Sequence, residues 1–251
     1  MGKVLRAYKR KRKEETGWML RSYIAFDIET TGLSPNEDEI IEIGALKVRE
    51  GKVKERFIEF IKPKFSIPEN ITRLTGISND MVAGARTREQ VIPDFLDFCE
   101  EDVLIGHNII FDYSFVANGA RSLGFTFEKR GIDTLNIARE VHSDLPSKNL
   151  GALCEYYRIQ NSAAHRAYHD ALATAKLYQT MSHYFEHNSP GVFAAKPLIC
   201  KGKECASATP KQLSFLKRLI KQKRVLQDLE LNTLTKNEAS RIIDSILSGQ
   251  I

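Results

Sequence analysis

Residues 23–32 read Tyr23-Ile24-Ala25-Phe26-Asp27-Ile28-Glu29-Thr30-Thr31-Gly32, an apolar run that ends in two acids and a polar turn. Read as a strand, it puts Asp27 and Glu29 on one side, because side chains alternate with a period of two. After the loop at Ser34-Pro35-Asn36 comes a second apolar stretch, Ile40-Ile41-Glu42-Ile43-Gly44-Ala45-Leu46-Lys47-Val48. A Glu50-Gly51-Lys52 turn leads to Arg56-Phe57-Ile58-Glu59-Phe60-Ile61, which alternates as a half-buried strand should. These three segments form an antiparallel meander. Beyond it, helical patterns alternate with short apolar runs. Val103-Leu104-Ile105-Gly106 reads as a buried strand before a helix from Asp112 to about Leu123. Gly131-Ile132-Asp133-Thr134-Leu135 is a weaker strand, and helices follow at about 149–157 and 168–187. A meander followed by βα units predicts an α/β domain with a mixed, five-stranded sheet and helices on its faces.

Two carboxylates on one side of a strand end repel each other, and burying them is costly unless a cation compensates. Oxygen ligands favour magnesium or manganese. Two later segments add to the pair. In Gly106-His107-Asn108-Ile109-Ile110-Phe111-Asp112, a buried strand gives way to a helix, so Asp112 projects from the sheet's edge. In Ala164-His165-Arg166-Ala167-Tyr168-His169-Asp170-Ala171, Asp170 falls in a helix's first turn, a place the helix dipole alone would also favour for an acid. Four carboxylates from three distant segments can hold two metals about 3.5–4 Å apart, the spacing of in-line phosphoryl displacement.

In this order, the three segments resemble the three motifs of the DEDDh family of proofreading-type 3'→5' exonucleases. The nearest likeness is to the DNA polymerase III epsilon subunit and the exonuclease domain of PolC-type polymerases. It covers about residues 22–187 and includes Glu39-Ile40-Ile41-Glu42-Ile43-Gly44-Ala45, Leu74-Thr75-Gly76-Ile77 and Asp133-Thr134-Leu135. The resemblance implies a ribonuclease H-like fold and two Mg2+ or Mn2+ ions per site. It further implies that Asp27, Glu29 and Asp170 bind the first metal, that Asp27 bridges to the second, and that Asp112 acts through water or at the second. His165 would be the general base, a task suited to an imidazole. The tyrosine-type branch places Tyr four residues before the last Asp, where this chain has Arg166; His165, five before, fits the histidine type. His169, adjacent to Asp170, should point to a different helix face. Thr30, Thr31 and Gly32 resemble the segment that meets the terminal nucleotide, and Leu33 and Phe111 would wedge or stack against the last bases. Phe111 reads equally well as a core residue. Leu74 and His107 are expected to line the pocket.

The reaction so implied releases nucleoside 5'-monophosphates from single-stranded or frayed DNA 3' ends. A ribonuclease of the same chemistry, or a protein that binds nucleic acid without cutting, remains an alternative. The likeness to polymerase exonucleases favours single-stranded DNA over RNA as partner.

Charge is distributed to suit this. Residues 1–16 carry seven Lys/Arg and two acids, 196–251 carry eleven and five, and 17–195 carry nineteen and twenty-five. An acidic body suits cations, and basic ends suit a polyanion; Lys9–Lys13 reads equally well as a solvated tail. Composition, 42% hydrophobic and 27% charged over 251 residues, is that of a globular protein. No apolar run approaches the roughly 18–20 residues of a membrane span. Nothing matches a secretory signal, and Arg6 breaks the myristoylation pattern, so no membrane partner and a cytoplasmic location are expected.

The expected organisation is a basic, flexible segment over 1–20, the exonuclease domain over 21–187, a Pro/Gly-rich linker over 188–208 and a helical module over 209–251. Thr209-Pro210-Lys211-Gln212 and Thr235-Lys236-Asn237-Glu238 are capping boxes that open the module's two helices. Its Lys217, Arg218, Lys221, Lys223 and Arg224 would contact phosphates, or the module would dock a polymerase or other protein. Cys99 and Cys154 read as core residues. His183, His187, Cys200 and Cys205 have a zinc-like spacing. No turn closes that set and helix C-terminal histidines have a dipole explanation, so no structural zinc is expected there.

Overall fold

The computed structural model describes residues 20–161, 164–200, 208–223, 231, 234 and 236–247. The chain divides into two compact units, Met1–Cys200 and Lys201–Ile251. The meander expected from the sequence forms as β1 (Tyr23–Thr30), β2 (Ile40–Arg49) and β3 (Lys52–Lys62). It is followed by α1 (Glu69–Thr75), α2 (Asn79–Val82), β4 (Arg86–Thr87), α3 (Arg88–Cys99), β5 (Leu104–Gly106) and α4 (Ile109–Ser122). The unit continues through β6 (Arg130–Asp133), α5 (Thr134–Val141), α6 (Leu150–Tyr156), α7 (Ala167–Phe185) and β7 (Lys196–Pro197).

These strands make one mixed sheet in the order β4-β3-β2-β1-β5-β6-β7, with β1 antiparallel to β2 and parallel to β5. The five expected strands form its centre, and the two-residue strands β4 and β7 extend the edges. The central strand β1 is buried on both faces. Ile24, Phe26 and Ile28 pack with Val91, Phe95 and Val116 of α3 and α4, whereas Tyr23 and Ala25 pack with Ala171, Leu177 and Tyr178 of α7. The alternation that buries Tyr23 and Ala25 under α7 therefore carries Asp27 and Glu29 onto that same face, at the end of the strand.

Three boundaries differ from the sequence reading. The helix expected from Asp112 starts one turn earlier, at Ile109, because Asn108 takes a left-handed conformation (φ 65°) that turns the chain straight off β5. The strand expected to continue through Leu135 stops at Asp133, whose carboxylate accepts the Leu135 N–H at 2.9 Å and caps α5. Part of the expected linker is strand: β7 pairs with β6, and Leu198 donates its N–H to Lys129 O at 2.8 Å. Pro197 is tolerated because β7 is an edge strand. The expectation for residues 1–19 lies outside the described residues.

Gly44, paired with Asp27, lets α7 close on the sheet: a Cβ there would fall 2.0 Å from Tyr168 N and 2.2 Å from the Ala167 carbonyl carbon. Both obstacles are backbone, so the helix itself must shift. Gly44→Ala is expected to cost about 1–3 kcal/mol, the range for overpacking, read as a lowered urea midpoint at unchanged slope.

In the second unit, α8 (Pro210–Lys223) and α9 (Lys236–Leu247) bury Leu216, Leu219, Ala239, Ile242 and Ile246. The Thr209 capping box is present: Gln212 N–H donates to Thr209 Oγ1 at 3.2 Å, and Thr209 N–H to Gln212 Oε1 at 3.0 Å. Thr235 lies outside the described residues.

Candidate active site

A cleft of about 440 Å³ opens where β1 and β5 end, lined by Asp27, Glu29, Asp112, Asp170 and His165 together with His107 and Phe111. The four carboxylates arrive by three local devices. Asp27 and Glu29 come from the alternation of β1. Asp112, in the first turn of α4, reaches back to β1, where its Oδ1 accepts the Ile28 N–H at 3.1 Å. Asp170, in the first turn of α7, accepts the His165 N–H on Oδ2 at 2.8 Å and the Asn161 side-chain amide on Oδ1 at 2.6 Å. His165 holds a left-handed backbone (φ 63°), and its exposed ring meets Glu29 and Asp170 with ligand atoms within 4.8 Å of one another. His169 does not line the cleft; its ring lies edge-on to Tyr168.

The electrostatics are those of uncompensated negative charge. Burial pushes the Asp27 carboxyl well up, and Asp112, Asp170, Glu29 and Glu42 add to the effect. Asp112 is raised by burial, against hydrogen bonds from backbone N–H groups that favour its charged form. Glu29 is pushed up to about 8, by burial first and then by Asp170 and Glu42, with Arg166 opposing. An all-oxygen donor set with excess negative charge fits a hard divalent cation.

A fifth carboxylate, Glu42, organises the site from behind. It faces Glu29 across β1 and β2 and is 1% exposed. The Arg166 fork reaches it at 2.9–3.3 Å, and its Oε2 accepts the Ala167 N–H at 3.1 Å. Glu42 thus caps α7 from β2, and the ring of Phe60 supports the Arg166 guanidinium at 5.2 Å. Arg166→Ala would leave Glu42 buried with one backbone donor. The expected cost is about 2–3 kcal/mol, below the range for wholly buried pairs because Arg166 is over one-third exposed. Urea unfolding checks this, and Arg166→Lys, lacking the fork, should recover only part.

Not every expected contact residue reaches the cleft. Thr30 and Thr31 are buried and hold the following loop: Thr30 Oγ1 donates to Gly32 O at 2.6 Å, and Thr31 Oγ1 accepts the Glu39 N–H at 2.9 Å. Gly32 packs against the Asp38 carboxylate, where a Cβ would fall 2.4 Å away. Leu33 is 84% exposed and Leu74 55%, and neither lines the cleft. Phe111 packs on Phe115 at 5.0 Å and lines the cleft. His107 lines it too, with Nδ1 2.9 Å from Thr134 Oγ1 and its imidazole pKa lowered by burial. The sequence reading missed Ile28, Asn108, Asn149, Leu150, Gly151, Asn161 and Ala164, which complete the lining. Cys200 packs beside the core on the α3–α4 face of the sheet, with Arg121 Nη2 donating to its Sγ at 3.6 Å, and Cys205 lies outside the described residues.

A family model described as Exonuclease matches residues 24–178. The chain belongs to this exonuclease family. Divalent-metal binding is expected of such proteins. Among curated proteins, the exonuclease chain is 43% identical over 159 residues to a PolC-type DNA polymerase III of Caldanaerobacter subterraneus subsp. tengcongensis. It is 40% identical over 155 residues to the Clostridium perfringens protein of that name. The matches cover 63% and 62% of this chain but only 11% of each polymerase. Among solved structures, Exonuclease X in complex with 5' overhanging duplex DNA superposes with a TM-score of 0.54 at 23% identity, covering 68% of this chain and 99% of that one. E. coli Exonuclease I in complex with a dT13 oligonucleotide gives 0.59 at 18%, covering 69% and 43%. These structural likenesses bear on the fold. No described helix is long and apolar enough to cross a membrane.

Proposed function

We propose that this chain is a histidine-type DEDD exonuclease that removes nucleoside 5'-monophosphates from single-stranded or frayed DNA 3' ends. The observation that carries the reading is the convergence of Asp27, Glu29, Asp112 and Asp170 with His165 on one cleft, with their negative charge uncompensated. Asp27, Glu29, Asp112 and Asp170 would hold two Mg2+ or Mn2+ ions. Bound there, the ions would lower the pKa of a water nucleophile and neutralise charge gathering on the scissile phosphate. His165 takes the proton that the attacking water loses, from a position tied to Asp170 through its own backbone N–H. Phe111 offers a ring face to the terminal base. Preference for DNA is supported by the likeness to PolC-type DNA polymerases.

Matched 5'-labelled DNA and RNA oligonucleotides incubated with Mg2+ test this. Progressive shortening of DNA from its 3' end with release of 5'-monophosphates is expected. Faster shortening of RNA would overturn the substrate assignment, and binding without any shortening would overturn the enzyme.

A further inference from the structure

The second unit uses one side of α8 completely. Leu216 and Leu219 are buried, and Gln212 donates to Lys236 O at 2.8 Å and Ser240 Oγ at 2.9 Å of α9. With that side turned inward, the helical period places Lys211, Lys217, Arg218 and Lys221 on the opposite side, and all four are exposed. α8 contains no acidic residue. Lys217 and Lys221 are neighbours at i, i+4, and Arg218 and Lys221 at i, i+3; such like-charge pairs destabilise a helix. The helix dipole offsets this for Lys221 in the last turn but works against Lys211 in the first. So the face is arranged against the helix's own electrostatics. Lysine is depleted from protein–protein interfaces, which centre on apolar or aromatic anchors, and this face has no such anchor at its middle, where Ser214 sits. Phosphates instead reward each cation by releasing condensed counterions.

We propose that this face of α8 binds the phosphate backbone of single-stranded DNA. The choice of DNA rests on the exonuclease reading above: one polymer meets both units, and covalent linkage turns the second contact into an intramolecular one. Lys211 to Lys221 extends about 15 Å along the helix, enough to meet consecutive phosphates.

The test uses the full chain in EDTA, with labelled dT30 and dT4 followed by anisotropy across a salt series. The comparison is with Lys211→Gln/Lys217→Gln/Arg218→Gln/Lys221→Gln. On dT30 the variant should bind about tenfold or more weakly at 0.1 M salt, and its plot of log affinity against log salt should be shallower by about 2–3. On dT4 the two proteins should agree. Lys211→Arg/Lys217→Arg/Lys221→Arg should bind dT30 as the native chain does, which excludes a folding defect. Unchanged dT30 affinity and slope, or a loss confined to a 30-base-pair duplex, would overturn the proposal. Hydrolysis of dT4 in Mg2+ is read separately: its absence from the native chain would sink the exonuclease reading, whatever α8 does.

Discussion

His165→Ala is expected to lower kcat about 10²–10⁴-fold, the usual contribution of a general base, while His169→Ala leaves kcat within a few-fold. The two histidines are four residues apart, and residue type does not distinguish them; the backbone does. His165 precedes α7 in a left-handed conformation that turns its ring toward Glu29 and Asp170, whereas His169 lies within the helix against Tyr168. The alanine variant keeps the backbone N–H that donates to Asp170 Oδ2 at 2.8 Å, so loss of the ring is separated from loss of the carboxylate's support. Steady-state rates at saturating oligonucleotide, with thermal unfolding as a control, decide the matter. Loss of rate in His169→Ala, with His165→Ala unaffected, would reverse the assignment.

The second large effect joins metal, pH and stability. Glu29 is pushed up to about 8, and Asp27 and Asp112 are raised in the same direction. An acid whose pKa is higher folded than unfolded binds more protons in the folded state. Its contribution to stability is therefore full below the ordinary carboxylate range and is lost as pH rises through the folded value. In EDTA, the exonuclease unit should lose melting temperature steadily from about pH 5 to pH 8. Saturating Mn2+ compensates the charge, so the gain on adding metal should grow with pH and reach about 2.7 kcal/mol at a hundred times the dissociation constant. Glu29→Gln in EDTA should flatten the curve and melt higher than the native chain at pH 8. Thermal unfolding across this range, with and without metal, checks it. Identical pH dependence in both conditions would contradict the charge arrangement described.

What could be read in the sequence depended on how local each feature is. The period of β1 places Asp27 and Glu29 together without knowledge of anything distant, and the Thr209 capping box lies within four residues of chain. By contrast, β4 and β7 are two residues each and exist because β3 and β6 offer free edges, which no local pattern announces. The Glu42–Arg166 clamp joins residues 124 apart. One signal was available, since an acid inside the wholly buried run Ile40–Val48 requires a partner, but the sequence could not say which. Asn161 was invisible because its role is an amide aimed at Asp170 across a loop. Resemblance alone points Thr30, Thr31 and Gly32 to substrate, while their hydrogen bonds and packing hold the loop that follows β1.

If the four carboxylates hold the metals for hydrolysis, crystals soaked with Mn2+ and a nucleoside 5'-monophosphate and measured for anomalous scattering will show the ions between them. Two manganese peaks bounded by Asp27, Glu29, Asp112 and Asp170, with the phosphate against them and His165 facing it, are the result expected. A cleft without manganese, or ions held by other side chains while these four carboxylates stay unligated, would contradict it.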